Sequence, residues 1–264
     1  MKGYPGLQNL VFKKIFCNCE NIKMLQEFFK RIFKTDVEVI DLKNEEMTDK
    51  FFYFLIKIRN EMVHVGLGIY SNDYMRGRNY ACFSEIYYNS IKTSEKYLSE
   101  ERFVYIGLIY GLKNKNEYKE YCIMNYDGTK FIENFEVIEF NMDALMEYWF
   151  KKDSQKIAEY KHLIMLCLND GELSTFGIGD EFIEKYRMEL NKLAQDEDFN
   201  FLRQLTIEWQ RIANTEKCLG EKVGMARGIE QSAVAFLKNG IAIAKVSEIT
   251  GISMKKLRRL LSQK

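Results

Sequence analysis

The sequence predicts an α/β protein in which a segment of order αβββαβ is followed by an all-helical C-terminal region. Three observations carry this expectation. A strongly amphipathic helix pattern opens the chain, and runs of β-branched and aromatic residues with short turns follow it. Beyond Asp143, apolar residues recur at helical spacing to the end.

Asn21 precedes a helix whose Ile22, Leu25, Phe28, Phe29, Ile32 and Phe33 share one face, with Lys30, Arg31 and Lys34 toward its negative end. Val37–Asp41 alternates as a short strand. Phe52–Arg59 and Met62–Tyr70 read as two strands joined by a tight turn at Asn60 and Glu61. Asn72 and Asp73 open a helix over roughly 75–92, with Tyr80, Phe83, Ile86, Tyr87 and Ile91 at spacings of three to four. Arg102–Gly111 is a strongly apolar strand. Lys119–Tyr126 and Phe135–Asn141 are two more, separated by an Asp127-Gly128 turn. Helices are then expected near 143–169, 180–195, 198–215, 225–239, 241–249 and 253–262, with loops at Gly171 and Gly177–Gly179. The expected domains are 1–145, a helical region 146–215, and a tail 216–264.

Composition excludes several classes. With 47% hydrophobic and 29% charged residues the chain has the balance of a soluble globular protein, and no apolar run is long enough to span a membrane. The start of the chain lacks a secretory signal pattern, so a cytoplasmic protein with no membrane partner is expected. Net charge is +1, so an electrostatic case for nucleic acid must come from local clustering. The six cysteines are scattered, and two histidines, His64 and His162, cannot build a His-rich metal site.

Several short stretches then align in order with one family. Val11-Phe12-Lys13-Lys14-Ile15-Phe16, followed by Met24-Leu25-Gln26-Glu27-Phe28-Phe29, resembles the opening of the Rpn family of recombination-promoting nucleases and transposases. Asp49-Lys50 stands where that family has Asp-Lys before its catalytic strand. Arg78-Asn79-Tyr80-Ala81-Cys82-Phe83-Ser84-Glu85-Ile86-Tyr87 is similar to its Arg-x-x-x-Tyr-Trp-Ser-x-x-Tyr helix, with Phe83 for Trp and Cys82 for Tyr. Val137-Ile138-Glu139-Phe140 and the run from Ala242 to Ser253 continue the series. The resemblance implies a PD-(D/E)XK restriction-endonuclease-like core (αβββαβ) and, for active members, Mg²⁺-dependent DNA cleavage. It also implies a mobile-element or defence context.

The same resemblance implies an Asp on the second core strand and Glu-x-Gln or Glu-x-Lys on the third. Two carboxylates hold Mg²⁺, which activates water, and the third residue orients it. Counting from Asp49 places the Asp at Leu55, and counting back from Arg78 places the Glu and Gln at Gly66 and Gly68. Neither Phe51–Asn60 nor Met62–Asn72 contains an Asp or Glu, so a small register error restores nothing. The catalytic set is therefore expected to be lost, with no metal site and no cofactor. Asp49 is the best substitute if an active, Mg²⁺-dependent variant of the site survives; its plainer role is that of a solvated loop residue. His64 shares the strand face of Gly66 and Gly68, where it is either a base or ligand or a packed residue.

Two features of the end of the chain suggest binding. From Lys245 to Lys264 there are six basic residues and one acid, Glu248. They are arranged as helix, Thr250-Gly251 turn and helix, with Ser253 as an N-cap, so that Ile243, Val246 and Ile249 face Leu257, Leu260 and Leu261. This helix-turn-helix outline offers Lys255, Lys256, Arg258 and Arg259 to DNA, with Arg78 a further candidate contact; a helical hairpin with a solvated basic face fits equally. Gly220, Gly224 and Gly228 recur every fourth residue, either as a face for close helix packing in a homodimer or as a hinge. The sequence thus favours a non-cutting protein acting through DNA or protein binding. A nuclease using displaced acids and a dimerisation module without DNA binding are the alternatives.

Overall fold

The computed structural model describes residues 5–42, 51–71, 73–93, 101–111, 116–122, 132 and 134–262; at 5, 93, 201–203, 205–219, 222, 223 and 262 it describes the backbone alone. Two compact units emerge, Met1–Asp196 and Glu197–Lys264.

In the first unit α1 (Asn9–Phe16) and α2 (Ile22–Phe33) lead into β1 (Val37–Leu42), β2 (Phe52–Ile58) and β3 (Glu61–Tyr70). Helix α3 (Asp73–Thr93) then crosses to β4 (Arg102–Ile109), and β5 (Tyr118–Cys122) and β6 (Phe135–Asn141) complete a six-stranded sheet of order β1-β2-β3-β4-β6-β5. The expected α/β class and the order helix, three strands, helix, strand are present. β1, β2 and β3 form an antiparallel meander, while β3, β4 and β6 run parallel and β5 closes antiparallel on β6. Chain connectivity dictates this: the two-residue turn after Ile58, with Arg59 at φ 56°, returns the strand directly, whereas a parallel neighbour needs a crossover such as α3.

Period-2 alternation gives the sheet two buried faces. Phe54, Ile56, Val65, Leu67, Val104 and Ile106 are fully buried on one face. There Phe12 and Phe29 of α1 and α2 meet Phe52 and Phe54 at ring separations of 5.0 and 5.2 Å. Phe51, Tyr53, Tyr70, Phe103 and Tyr105 lie on the other face, packed with Phe83 of α3. Burial on both sides explains the nearly continuous apolar runs of β3 and β4.

After the sheet, the single helix expected over 143–169 is broken. It forms α4 (Met142–Lys151), α5 (Ser154–Glu159) and α6 (Lys161–Ile164), interrupted by Lys152 at φ 57° and by Tyr160. The Asp153 side chain accepts from Lys156 N at 3.1 Å and so starts a new helix where apolar spacing alone reads through. Gly171 sits inside α7 (Asp170–Phe176) rather than in a loop, because Asn169 and Glu172 form a capping box there. Helix α8 (Glu181–Gln195) ends the unit.

In the second unit, the two helices expected over 198–215 and 225–239 are one 42-residue helix, α9 (Glu197–Lys238). It carries Gly220, Gly224 and Gly228 without interruption, and a Cβ at any of them would meet nothing within 4 Å. Helices α10 (Ile243–Thr250) and α11 (Met254–Ser262) follow. Among the described residues no helix is long and apolar enough to cross a membrane.

Candidate functional site

Strand register brings the three inferred catalytic positions onto one face. Leu55 pairs with His64, and Tyr53 pairs with Gly66, so Leu55, Gly66 and Gly68 all point toward the layer that α3 covers. That layer is full. A Cβ at Gly66 would fall 2.7 Å from the Phe83 ring and 2.9 Å from Tyr105. One at Gly68 would fall 2.8 Å from Asn79 Nδ2 and well inside contact distance of Tyr105 Oη. Phe83, Asn79 and Tyr105 are themselves fully buried. Glycine is needed here because the chain's own rings occupy the space that a Glu or Gln side chain would take.

A buried carboxylate does lie in the same layer, two strands away. Gly68, Gly107 and Glu139 are register partners across β3, β4 and β6. Glu139 is 4% exposed and is held from several sides. Arg76 grips both oxygens, Nε to Oε1 at 2.7 Å and Nη2 to Oε2 at 2.9 Å. The Tyr70 hydroxyl donates to Oε1 at 2.9 Å, and the Tyr80 hydroxyl donates to the same oxygen. Tyr121 takes a further Arg76 hydrogen bond at 3.0 Å. Burial raises the Tyr70, Tyr80 and Tyr105 phenols well above their usual range, so all three remain protonated donors. Glu139 is thus neutralised by an arginine and saturated by hydroxyls. Its arrangement ties α3 to the sheet and leaves no oxygen directed at a metal.

The other acids and the histidine are placed as follows. Asp49, the expected substitute, lies outside the described residues, as does the Asp127-Gly128 turn. Asp41 of β1 is the register partner of Leu55, beyond a bulge at Ile40, and is exposed. His64 is engaged: Nδ1 bonds the Tyr53 hydroxyl, and Nε2 meets Glu101 Oε2 at 2.6 Å. Its ring stacks on Phe103 with centroids 4.3 Å apart and an interplanar angle of 4°. This is the packed, hydrogen-bonded role of the two expected. Among the described residues no group of three or more His, Cys, Asp or Glu side chains is arranged to hold a metal ion.

The tail forms a small helical core of its own. Val246 of α10, Leu257 of α11 and Ala233 of α9 are fully buried, with Phe236, Leu237, Ile243 and Ile252 around them. Gly251 at φ 69° makes the turn, and the Ser253 hydroxyl caps α11 by accepting from Lys256 N at 3.4 Å. The expected seam is only partly right. The end of α9 is the third wall, while Ile249 and Leu261 remain 58% and 43% exposed. Lys255, Lys256, Arg258 and Arg259 are all exposed on α11. Lys256 reaches back to Glu230 of α9 at 2.5 Å, which takes up part of its charge. Arg78 is on the other unit, half-buried on α3 next to Asn79.

The cluster of Arg76, Asn79, Tyr105 and Glu139 escaped sequence reasoning. One signal was available: Glu139 is an acid at a position of Phe135–Asn141 that alternation assigns to a buried face, and such a residue requires a partner. Nothing in the sequence pointed to Arg76 as that partner. Comparison of the chain with family models, with curated proteins and with solved structures gave no match.

Proposed function

We propose that this chain is a non-cutting relative of the Rpn-type PD-(D/E)XK nucleases, which holds DNA without hydrolysing it. The observation that carries the reading is the filled layer over Gly66 and Gly68. Both inferred catalytic positions lack side chains, and the volume those side chains would need belongs to Phe83, Asn79 and Tyr105. The order α2-β1-β2-β3-α3-β4, with an antiparallel meander and a parallel fourth strand, supports the PD-(D/E)XK core. The three-helix tail, with Lys255, Arg258 and Arg259 exposed on its last helix, supports DNA contact through phosphates.

The test has two arms. A duplex-DNA mobility shift should be steeply salt-sensitive and should be lost when Lys255, Lys256, Arg258 and Arg259 are changed together to Gln. Absence of any shift at low salt in the unaltered protein refutes DNA binding. Plasmid nicking with Mg²⁺ or Mn²⁺ should be absent.

Asp41 favours a second reading, because it stands beside Leu55 on the correct face of the sheet. In that reading a displaced acid keeps a Mg²⁺-dependent nuclease active. Metal-dependent nicking that disappears in Asp41→Ala or Asp49→Ala would establish it in place of the first.

A further inference from the structure

The polar cluster under α3 carries more donors than acceptors. Glu139 accepts from Arg76, Tyr70 and Tyr80 and is saturated. Next to it, three buried atoms make no hydrogen bond: Arg78 Nε, Asn79 Nδ2 and Tyr105 Oη. The neighbouring Asn79 Oδ1 already accepts from Arg78 Nη2 at 3.3 Å. Asn79 Nδ2 and Tyr105 Oη both stand over Gly68, Nδ2 lying 2.8 Å from where a Cβ there would be. Asn79 and Tyr105 are both fully buried. Among the described residues no carboxylate pairs with the half-buried Arg78, whereas Arg76, two residues earlier on the same helix, has Glu139. A partly desolvated guanidinium without a counter-charge, beside two idle buried donors, is costly unless an acceptor joins them. The cluster also lies near the carboxyl ends of the parallel strands β3, β4 and β6, where open α/β sheets bind ligands.

We infer that Arg78, Asn79 and Tyr105 form an oxyanion site that takes a phosphate oxygen without a metal ion. This rests on the nucleic-acid reading for the source of the phosphate, a backbone phosphodiester. The site itself, defined by its donors, accepts free phosphate by the same chemistry. Arg78 supplies the charge that a metal would supply in a cutting enzyme, and the Tyr105 hydroxyl stands against Gly68 where the water-orienting side chain is missing. The donor atoms are closed to solvent and the layer over Gly68 is filled, so binding requires the half-buried Arg78 side chain to move outward and open it.

The 264-residue chain is titrated with inorganic phosphate at fixed ionic strength, followed by thermal shift and calorimetry. A saturable response is expected in the unaltered chain. Tyr105→Phe keeps the ring and removes a hydroxyl that has no partner, so its melting temperature without phosphate should be unchanged while its phosphate affinity falls about tenfold or more. Arg78→Gln should lose affinity by at least as much. No saturable response in the unaltered chain, or unchanged affinity in Tyr105→Phe and Arg78→Gln, overturns the site.

A short duplex oligonucleotide separates the sources: it should compete with phosphate, and phosphate binding that is indifferent to saturating duplex overturns the backbone assignment. The variant with Lys255, Lys256, Arg258 and Arg259 changed to Gln separates this site from the tail. A phosphate response that persists there supports the site even if the tail binds no DNA, and its loss there assigns the anion to the tail.

Discussion

Adding one methyl group at Gly68 distinguishes a filled layer from an open cleft by the sign of its effect. In an open cleft, Gly68→Ala would stabilise β3 by roughly 0.5–1 kcal/mol, because alanine loses less backbone freedom than glycine on folding. Here the new Cβ lies 2.8 Å from Asn79 Nδ2 and 3.0 Å from Tyr105 Cζ, with Tyr105 Oη closer still. Tyr105 must retreat by about an ångström, yet its ring is fully buried and held edge-on by Tyr80 at 5.0 Å and Phe51 at 6.1 Å. Overpacking of this kind costs about 1–3 kcal/mol, so a net destabilisation of about 2 kcal/mol is expected. Urea unfolding should show a lower midpoint with an unchanged m value. The double variant Gly68→Ala/Tyr105→Phe removes the nearest clashing atom and should recover about 1 kcal/mol through the coupling between the two sites. A Gly68→Ala protein as stable as the unaltered chain, or more stable, would refute the filled layer and with it the argument for lost cutting.

The remaining expectations test other parts of the same chain. Glu139→Gln leaves Arg76 facing a neutral amide, and with Arg76 partly exposed the loss should be about 2–3 kcal/mol by denaturant unfolding; a change below about 0.5 kcal/mol would remove the anchoring role. His162 is buried, and desolvation, helped by Arg31 and Lys34, holds its pKa down from 6.5 to about 3. Its folded pKa lies below its unfolded one, so the unfolded chain binds more protons between these values and stability falls as pH drops through that window. The group's share of the loss from pH 7 to pH 5 is about 2 kcal/mol, and His162→Leu should lose that slope; an unchanged slope would refute it. Leu257→Ala empties the centre of the tail core and should cost about 2–4 kcal/mol there, seen as faster amide exchange across α10 and α11. Unaltered exchange in those helices would show that Leu257 does not hold the tail together.

What the sequence made legible follows from the range of each interaction. Strands β2, β3 and β4 were readable because burial on both faces writes continuous apolar runs, and α2 because one face is buried and one is wet. Its errors came where short-range polar groups overrode apolar spacing: Asp153 ends one helix and begins another, and the capping box at Asn169 draws Gly171 into a helix. The fusion of α9 is the reverse case, since glycine weakens a helix by only about 1 kcal/mol and three such residues do not break one with good formers around them. The positions that the family resemblance singles out could be counted off in the sequence but not understood from it. Leu55, Gly66 and Gly68 read only as missing functions. Their meaning depends on Asn79 and Tyr105, which come from another helix and another strand and meet above Gly68 only after the crossover is made.

This changes what the glycines imply. Had they been passive losses, a small side chain of any kind would serve at 66 and 68. With Phe83 and Tyr105 packed against Gly66, and Tyr105 and Asn79 against Gly68, no side chain fits at either position without repacking, and placing an acid there would require moving those groups as well. On the proposed non-cutting reading, the core of the fold as well as the identity of two residues would keep a metal-binding acid out of this layer.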